Sequence, residues 1–426
     1  MPYKFVHTAD VHLDSPLRSL AMRNEELADL IGIASRQVFS STVGFCIREQ
    51  VDALMIVGDL FDSGQTSVKT TGYFISEMRR LDEAGIRAFI TRGNHDALLR
   101  TVKNEDLPPS VKVFGGRSEV VQATSTDGGL EVAVHGISFI EQKVTENMVG
   151  KFKSPVDGAI NIGLLHTSLG GSTPHDPYAP CSVDDLKSCG FDYWGLGHIH
   201  KREVFSESPM VVMPGIPQGR HINESGPKTV TLVTINDDRT IHLQEHQTSI
   251  AQFEKISVNA TGHEDWRDVI SAIQTAFEEE RQKVITKNLV VRLFIEGTTT
   301  LAWRLRQDID LLNEQANNLA SGMEGVWLEK IEVKCKISTT ENEGETASPV
   351  HELGNLIQDE VVGSDGYMEA AQEIAEDMRS QLPGEIRHIL GDDEEALEKI
   401  VTRLVAEGAE DVLARLHVHV ANEDAE

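Results

Sequence analysis

Short apolar runs that end abruptly on an acidic, amide or imidazole side chain recur five times in the first 200 residues. The clearest is 53–57, an unbroken apolar stretch followed at once by Gly58, Asp59, Leu60, Phe61 and Asp62. Such a run suits a strand covered on both faces, and a glycine at its carboxyl end lets the backbone turn sharply. The same grammar carries residues 4–8 into Asp10 and His12, and 86–91 into Gly93, Asn94, His95 and Asp96. It carries 159–165 into His166, and 193–196 into Gly197, His198, Ile199 and His200. Between these strands, 24–49 has helical spacing, with Leu27, Leu30, Ile31, Ala34, Val38 and Phe45 on one stripe, and 66–84 is a second helix. Alternating strands and helices predict an α/β beginning.

From residue 111 the strands shorten and crowd: 111–114, 119–123, 130–137, 210–213, 229–235 and 240–244, with turn signals at Asp127-Gly128-Gly129 and Asn236-Asp237-Asp238. Close spacing predicts antiparallel pairing, and the whole region 1–250 a two-sheet sandwich with helices outside. Residues 251–337 read as β-α-β-α-β without ligand-type clusters, a small α+β capping domain whose second helix spans 300–320. A polar linker, 338–350, leads to an acidic helical C-terminal region, 351–426, where Leu397, Ile400, Val401, Leu404, Val405 and Leu413 fall at helical spacing.

The 426-residue chain is 40% hydrophobic and 25% charged, the composition of a globular protein with room for more than one domain. No run approaches the ~20 apolar residues of a membrane span, and the chain enters a strand without a basic, then apolar, leader. It therefore reads as cytoplasmic, with no membrane partner. Cys46, Cys181, Cys189 and Cys335 show no metal-ligand spacing and read as reduced thiols. The net charge of -29 runs against a nucleic-acid binder, which neutralises phosphates with basic residues. Residues 341–426, however, hold about 23 Asp and Glu against about 5 Lys and Arg, so most of the excess lies in the tail.

Strand ends of one sheet converge on one rim, so the polar residues that follow them can meet in space. Asp10, His12, Asp59, Asn94, His166, His198 and His200 are too many donors for one ion and suit two divalent cations, manganese, iron or zinc. Asp59, with two oxygens, is the candidate bridge. Two metals roughly 3.5 to 4 Å apart activate water and clamp the attacking and leaving oxygens of a phosphate ester.

In order, Asp10 with His12, Gly58-Asp59-Leu60-Phe61-Asp62, Gly93-Asn94-His95-Asp96, His166 and Gly197-His198-Ile199-His200 resemble the five signature blocks of the calcineurin-like metallophosphoesterases. The opening block and Leu60-Phe61-Asp62 are similar to the SbcD family, nuclease subunits of DNA double-strand-break repair complexes. The stretches 192–203 and 214–221 look most like the YhaO-type branch. The resemblance implies a four-layer α-β-β-α metallophosphoesterase sandwich. It places Asp10, His12, Asp59 and His200 on one metal and Asp59, Asn94, His166 and His198 on the other, most readily Mn(2+). It places His95 beside the metals, protonating the leaving oxygen or stabilising the pentacovalent phosphate, with Asp62 orienting it, and implies DNA as substrate, an SbcC-like ATPase partner and a homodimer.

Blander readings stand beside these. His7 and His135 read as packed histidines; His417 and His419 as surface residues. Arg220 and His221 can touch a substrate phosphate or simply shape a turn. His175, in the Gly- and Pro-rich loop 168–181, reads equally as substrate contact or loop structure. A narrow site closed by that loop would instead favour small nucleotides or other phosphoesters. A regulatory subunit with weak catalysis is a further alternative, which the complete donor set opposes.

Overall fold

The computed structural model describes residues 2–15, 25–62, 67–98, 104–123, 129–170, 178–337, 356–362, 364–382, 390–391 and 394–423. They form two compact units, Met1–Glu254 with Val284–Val291, and Lys255–Lys283 with Arg292–Glu426.

The first unit is built on two six-stranded sheets. Strands β1 (Tyr3–Thr8), β2 (Ala53–Val57), β3 (Arg87–Thr91) and β4 (Val111–Val113) run parallel. Beyond β1, β11 (Thr229–Ile235) and β12 (Ile241–Gln247) add antiparallel. The second sheet takes the order β5 (Glu119–Gln122), β6 (Val132–Gly136), β7 (Ile160–His166), β8 (Tyr193–Gly197), β10 (Met210–Met213) and β9 (Glu203–Glu207). Every residue of β2, β7 and β8 is buried, the mark of strands covered on both faces.

Three apolar layers hold the sandwich. Phe5, Met55, Val57, Phe89, Val134, Ile162, Leu164 and Tyr193 fill the space between the sheets. Helices α1 (Glu25–Glu49) and α2 (Val68–Glu83) cover the first sheet, Phe39, Val43, Phe74 and Met78 meeting Leu54 and Ile56. The short α3 (Val183–Ser188), closed by a Ser182–Asp185 capping box, sends Leu186 onto Trp194 and Val211 of the other face. Each large apolar side chain so buried contributes about 1.5–3 kcal/mol. By length and composition α1 is apolar enough to cross a membrane, yet its Leu27, Ile31, Ala34 and Val38 pack inside this unit.

Antiparallel pairing was expected of all the short strands, and here the structure differs. Parallel pairs join β4 to β3, β6 to β7 and β10 to β8. A parallel pair needs a long crossover. The crossover 137–159 is largely irregular chain without the helical periodicity that would have announced it.

A three-stranded sheet, β13 (Ala251–Asn259), β14 (Asn288–Thr299) and β15 (Val326–Ile337), lies for the most part in the second unit, and along it buried and exposed residues largely alternate. Helix α4 (Trp266–Lys283) buries Val269, Ile273 and Phe277. The single helix expected over 300–320 is two, α5 (Ala302–Gln307) and α6 (Ile309–Ser321), because Asp308 leaves helical geometry with ψ of 32°. Helices α7 (Asp365–Gln381) and α8 (Glu394–Glu423) follow.

Candidate metal centre

The carboxyl ends of β1, β2 and β3 in one sheet and of β7 and β8 in the other open onto the same place. Tight turns there force the ligand-type residues into unusual backbone geometry. Asp10, His12, Asp59 and His198 all adopt positive φ, 52°, 45°, 49° and 104°. Such strain at non-glycine residues persists only where surrounding bonds hold it. Asp10 N–H donates to the Gly58 carbonyl at 3.1 Å, and His12 N–H to that of Asp59 at 3.0 Å. Gly58 itself turns at φ 81°, and a Cβ there would collide with the His166 imidazole. Gly197 lets the two sheets close up, since any side chain would strike the Val57 carbonyl.

Three clusters of ligand-type side chains result, one of them His12 with Asp62 and His95, the other two made only of the donors expected from sequence. Asp10, His12 and His200 place ligand atoms within 4.8 Å of one another, and so do Asp59, His166 and His198. His12 Nε2 and His200 Nε2 lie 3.3 Å apart. Asn94 Oδ1 is 3.1 Å and Asp59 Oδ2 3.4 Å from His166 Nε2. All seven predicted donors are therefore brought together at the strand ends. The mixture of carboxylate, amide oxygen and imidazole fits two divalent cations, and the buried carboxylates of Asp10 and Asp59 need positive charge close by.

Second contacts orient the donors. The His198 N–H donates to both oxygens of Asp10, at 3.1 and 2.9 Å, and the His95 N–H to Asp59 Oδ1 at 2.9 Å. His166 Nδ1–H donates to the Val57 carbonyl at 3.1 Å, which leaves Nε2 facing its cluster. Burial disfavours charge on Asp59, but His166 outweighs it and holds the carboxyl below the usual range. His166 is itself opposed by burial, yet Asp59 and Asp10 raise it to about 9. Burial, with the neighbouring His166, drives His198 down to about 3; burial and Arg220 also lower His12. Asp10, wholly buried, is raised.

His95 differs from the buried donors in exposure, its side chain 42% exposed where those of His12 and His166 are at most 1%. Its Nδ1–H donates to Asp62 Oδ1 at 3.1 Å, a contact that raises its pKa and leaves Nε2 open. Asp62 was expected to orient His95. The same oxygen also accepts from His12 Nδ1–H at 2.7 Å, so one carboxylate orients both an acid candidate and a donor. Although burial works against it, these two bonds hold Asp62 far below the ordinary carboxylate range.

Sequence reasoning missed two residues. Asp96 accepts from Leu60 N–H at 2.9 Å and Gly93 N–H at 2.6 Å, tying the loops after β2 and β3 together. Burial and the nearby Asp59 raise it to about 7. Glu224, on the turn Ile222–Glu224, accepts from His200 Nδ1–H at 2.7 Å. Asp96 was in view inside the fourth-residue position of its motif, and Glu224 lies three residues past His221, but neither follows a strand directly.

The remaining candidates separate. Arg220 is largely covered and engaged with Glu224, while the His221 ring is 52% exposed and 3.4 Å from Glu224. His175 lies outside the described residues, and so do the side chains of His417 and His419. His7 is a core histidine: Nε2–H donates to the Leu196 carbonyl, Nδ1 accepts from Tyr193 O–H, and burial lowers it to about 3. His135 is buried too, bonded to Asn161 Oδ1 at 2.9 Å.

Comparison with known proteins agrees with this geometry. Residues 3–202 match the family described as calcineurin-like phosphoesterase, and 253–336 the middle domain of metallophosphoesterase YhaO. The uncharacterized metallophosphoesterase YhaO of Bacillus subtilis is 31% identical over 361 residues, 83% of this chain and 86% of that one. The DNA double-strand break repair protein Mre11 of Methanopyrus kandleri is 24% identical over 69% of this chain and 65% of its own length. Its namesake from Sulfurisphaera tokodaii is 28% identical over 47% of this chain and 50% of its own. With identity and coverage of that order, on a fold that gathers these donors, the chain belongs to the YhaO-type metallophosphoesterases, metal-dependent enzymes of the calcineurin-like group.

Proposed function

We propose that this phosphoesterase is a two-metal phosphodiesterase acting on DNA. The observation that carries the reading is the pair of donor clusters with a solvent-facing, carboxylate-braced His95 beside them. Asp10, His12, Asp59 and His200 would hold one cation, and Asp59, Asn94, His166 and His198 the other, with Asp59 shared. Two bound divalent cations, manganese first among them, would polarise the phosphoryl oxygens and make water nucleophilic near neutral pH. This chain's residues do the rest. His95, kept protonated by Asp62, faces the leaving oxygen through Nε2. As water oxygen bonds to phosphorus and the ester P–O bond breaks, that proton would pass to the departing alkoxide and one proton of the water would leave to solvent, giving an alcohol and a phosphate monoester and a neutral His95 that regains its proton from solvent.

The relatives named as DNA double-strand break repair protein Mre11 support DNA as substrate, and the resemblance to the SbcD family adds an SbcC-like ATPase partner and a homodimer to the same reading. The four free cysteines support a reducing, cytoplasmic setting. A second reading, small phosphodiesters, is favoured by the Tyr178 ring, whose centroid lies 5.1 Å from that of His198 and walls the site. The test is hydrolysis of single-stranded DNA, double-stranded DNA and bis-p-nitrophenyl phosphate with manganese, beside Asp59→Ala. Degradation of DNA by the native chain alone supports the nuclease reading. Cleavage confined to the small diester removes DNA and leaves the second reading.

A further inference from the structure

The histidines of the two clusters are braced by different chemistry. His166 leans its Nδ1–H on a neutral carbonyl, that of Val57. His12 and His200 each commit Nδ1–H to a carboxylate at 2.7 Å, Asp62 for one and Glu224 for the other. The Glu224 contact is far shorter than the 3.4 Å between His200 Nδ1 and Arg220 Nη2, so Nδ1 carries the hydrogen and donates it to Glu224. Both Nε2 atoms then present lone pairs, 3.3 Å apart, toward Asp10.

Glu224 is itself held. Its side chain is 5% exposed, and Oε2 accepts the Arg220 backbone N–H at 2.7 Å while Oε1 takes Arg220 Nη2–H at 3.1 Å. Arg220 Nη1 also lies 4.0 Å from Asp62 Oδ2. One guanidinium thus stands between the two carboxylates that brace the two histidines. A buried carboxylate placed so fixes the ring's tautomer and tilt and makes the free nitrogen a stronger donor.

We propose that Glu224, locked by Arg220, is a positioning residue that sets the affinity of the Asp10–His12–His200 metal position and leaves the other position untouched. The inference rests on the two-metal reading above, and the experiment separates failure of one from failure of the other. Manganese is titrated calorimetrically into the full chain, native and with Glu224→Gln or Glu224→Ala, and electron paramagnetic resonance distinguishes coupled manganese pairs from single ions. Glu224→Gln keeps the shape and an acceptor for the Arg220 N–H, so folding is preserved even if the alanine variant unfolds. The native chain binds two ions. Glu224→Gln weakens one of them about 10- to 100-fold and leaves the second within a few-fold, and at equimolar manganese the paired signal gives way to isolated ions. Native affinity at both positions in the Gln variant overturns the role, as does equal weakening of both, which marks a general disturbance. Fewer than two ions in the native chain overturns the two-metal reading, and the inference with it.

Discussion

Two regions of this molecule depart from ordinary burial in opposite senses. At the strand ends of the first unit, Asp10, His12, Asp59, Asp96 and His166 are buried. In the C-terminal helices of the second, Ile374, Met378, Leu404 and Val412 are exposed, beside an apolar groove of about 480 Å³ between α7 and α8. The informative departures from the burial rule are these two, a buried charge and an exposed apolar face. The first is accounted for within the chain, because each buried charge has an opposite charge or an N–H against it and together they make a site for cations. The second is covered by nothing among the described residues. Buried charge therefore reports on chemistry that the fold has already organised, while exposed apolar surface reports only that organisation is incomplete.

The largest expected effect breaks the first region at its centre. Asp59→Ala removes the carboxylate nearest His166 and His95 N–H, and we expect phosphodiester hydrolysis to fall by about 10⁴-fold or more, with loss of metal. Bound metal measured by mass spectrometry alongside turnover checks it; an active variant with two ions would show that the cluster is structural. His95→Ala is the next step down. Turnover should drop about 10²–10⁴-fold while both ions stay bound, since His95 lies outside the donor set. Loss of metal on that change would place His95 among the donors.

A pH series sharpens the contrast further. His166 is raised to about 9 and must release its proton to donate through Nε2. Apparent manganese affinity should therefore fall about tenfold for each unit below pH 9, levelling above it. A flat isotherm between pH 6 and 8 would contradict that coupling. The smallest effect belongs to the other region: Ile374→Ser or Leu404→Ser, both on the exposed face, should change stability by no more than about 0.5 kcal/mol and leave hydrolysis alone. A large fall in melting temperature would show that this face is covered after all.

Much of the site was legible because each donor follows a buried strand, where strand ends of a parallel sheet meet ligands. Asp10, Asp59, Asn94, His166 and His198 each stand within a few residues of an apolar run, and side-chain type gave the chemistry. Glu224 and Asp96 were not legible, since their roles are hydrogen bonds to residues distant in sequence and a lone carboxylate in a turn carries no pattern. The double duty of Asp62 escaped for the same reason: only the approach of His12 and His95 to one oxygen reveals it. The parallel pairing of β6 with β7 was misread because the irregular stretch 137–159 has no period, and the break at Asp308 because apolar spacing continues through it.

By itself, then, the order of residues determined which segments are buried strands, which helices cover them, and which donor types end each strand. Those are local matters of periodicity and side-chain chemistry, and they survive without knowledge of the partner strand. Only tertiary structure decided that two sheets open onto one rim, that His12 and His200 face each other while His166 faces Asp59 and Asn94, and which carboxylate braces which imidazole. The pairing of His12 with His200 joins residues 188 positions apart, and such pairings follow from sheet order and packing, which no local pattern encodes.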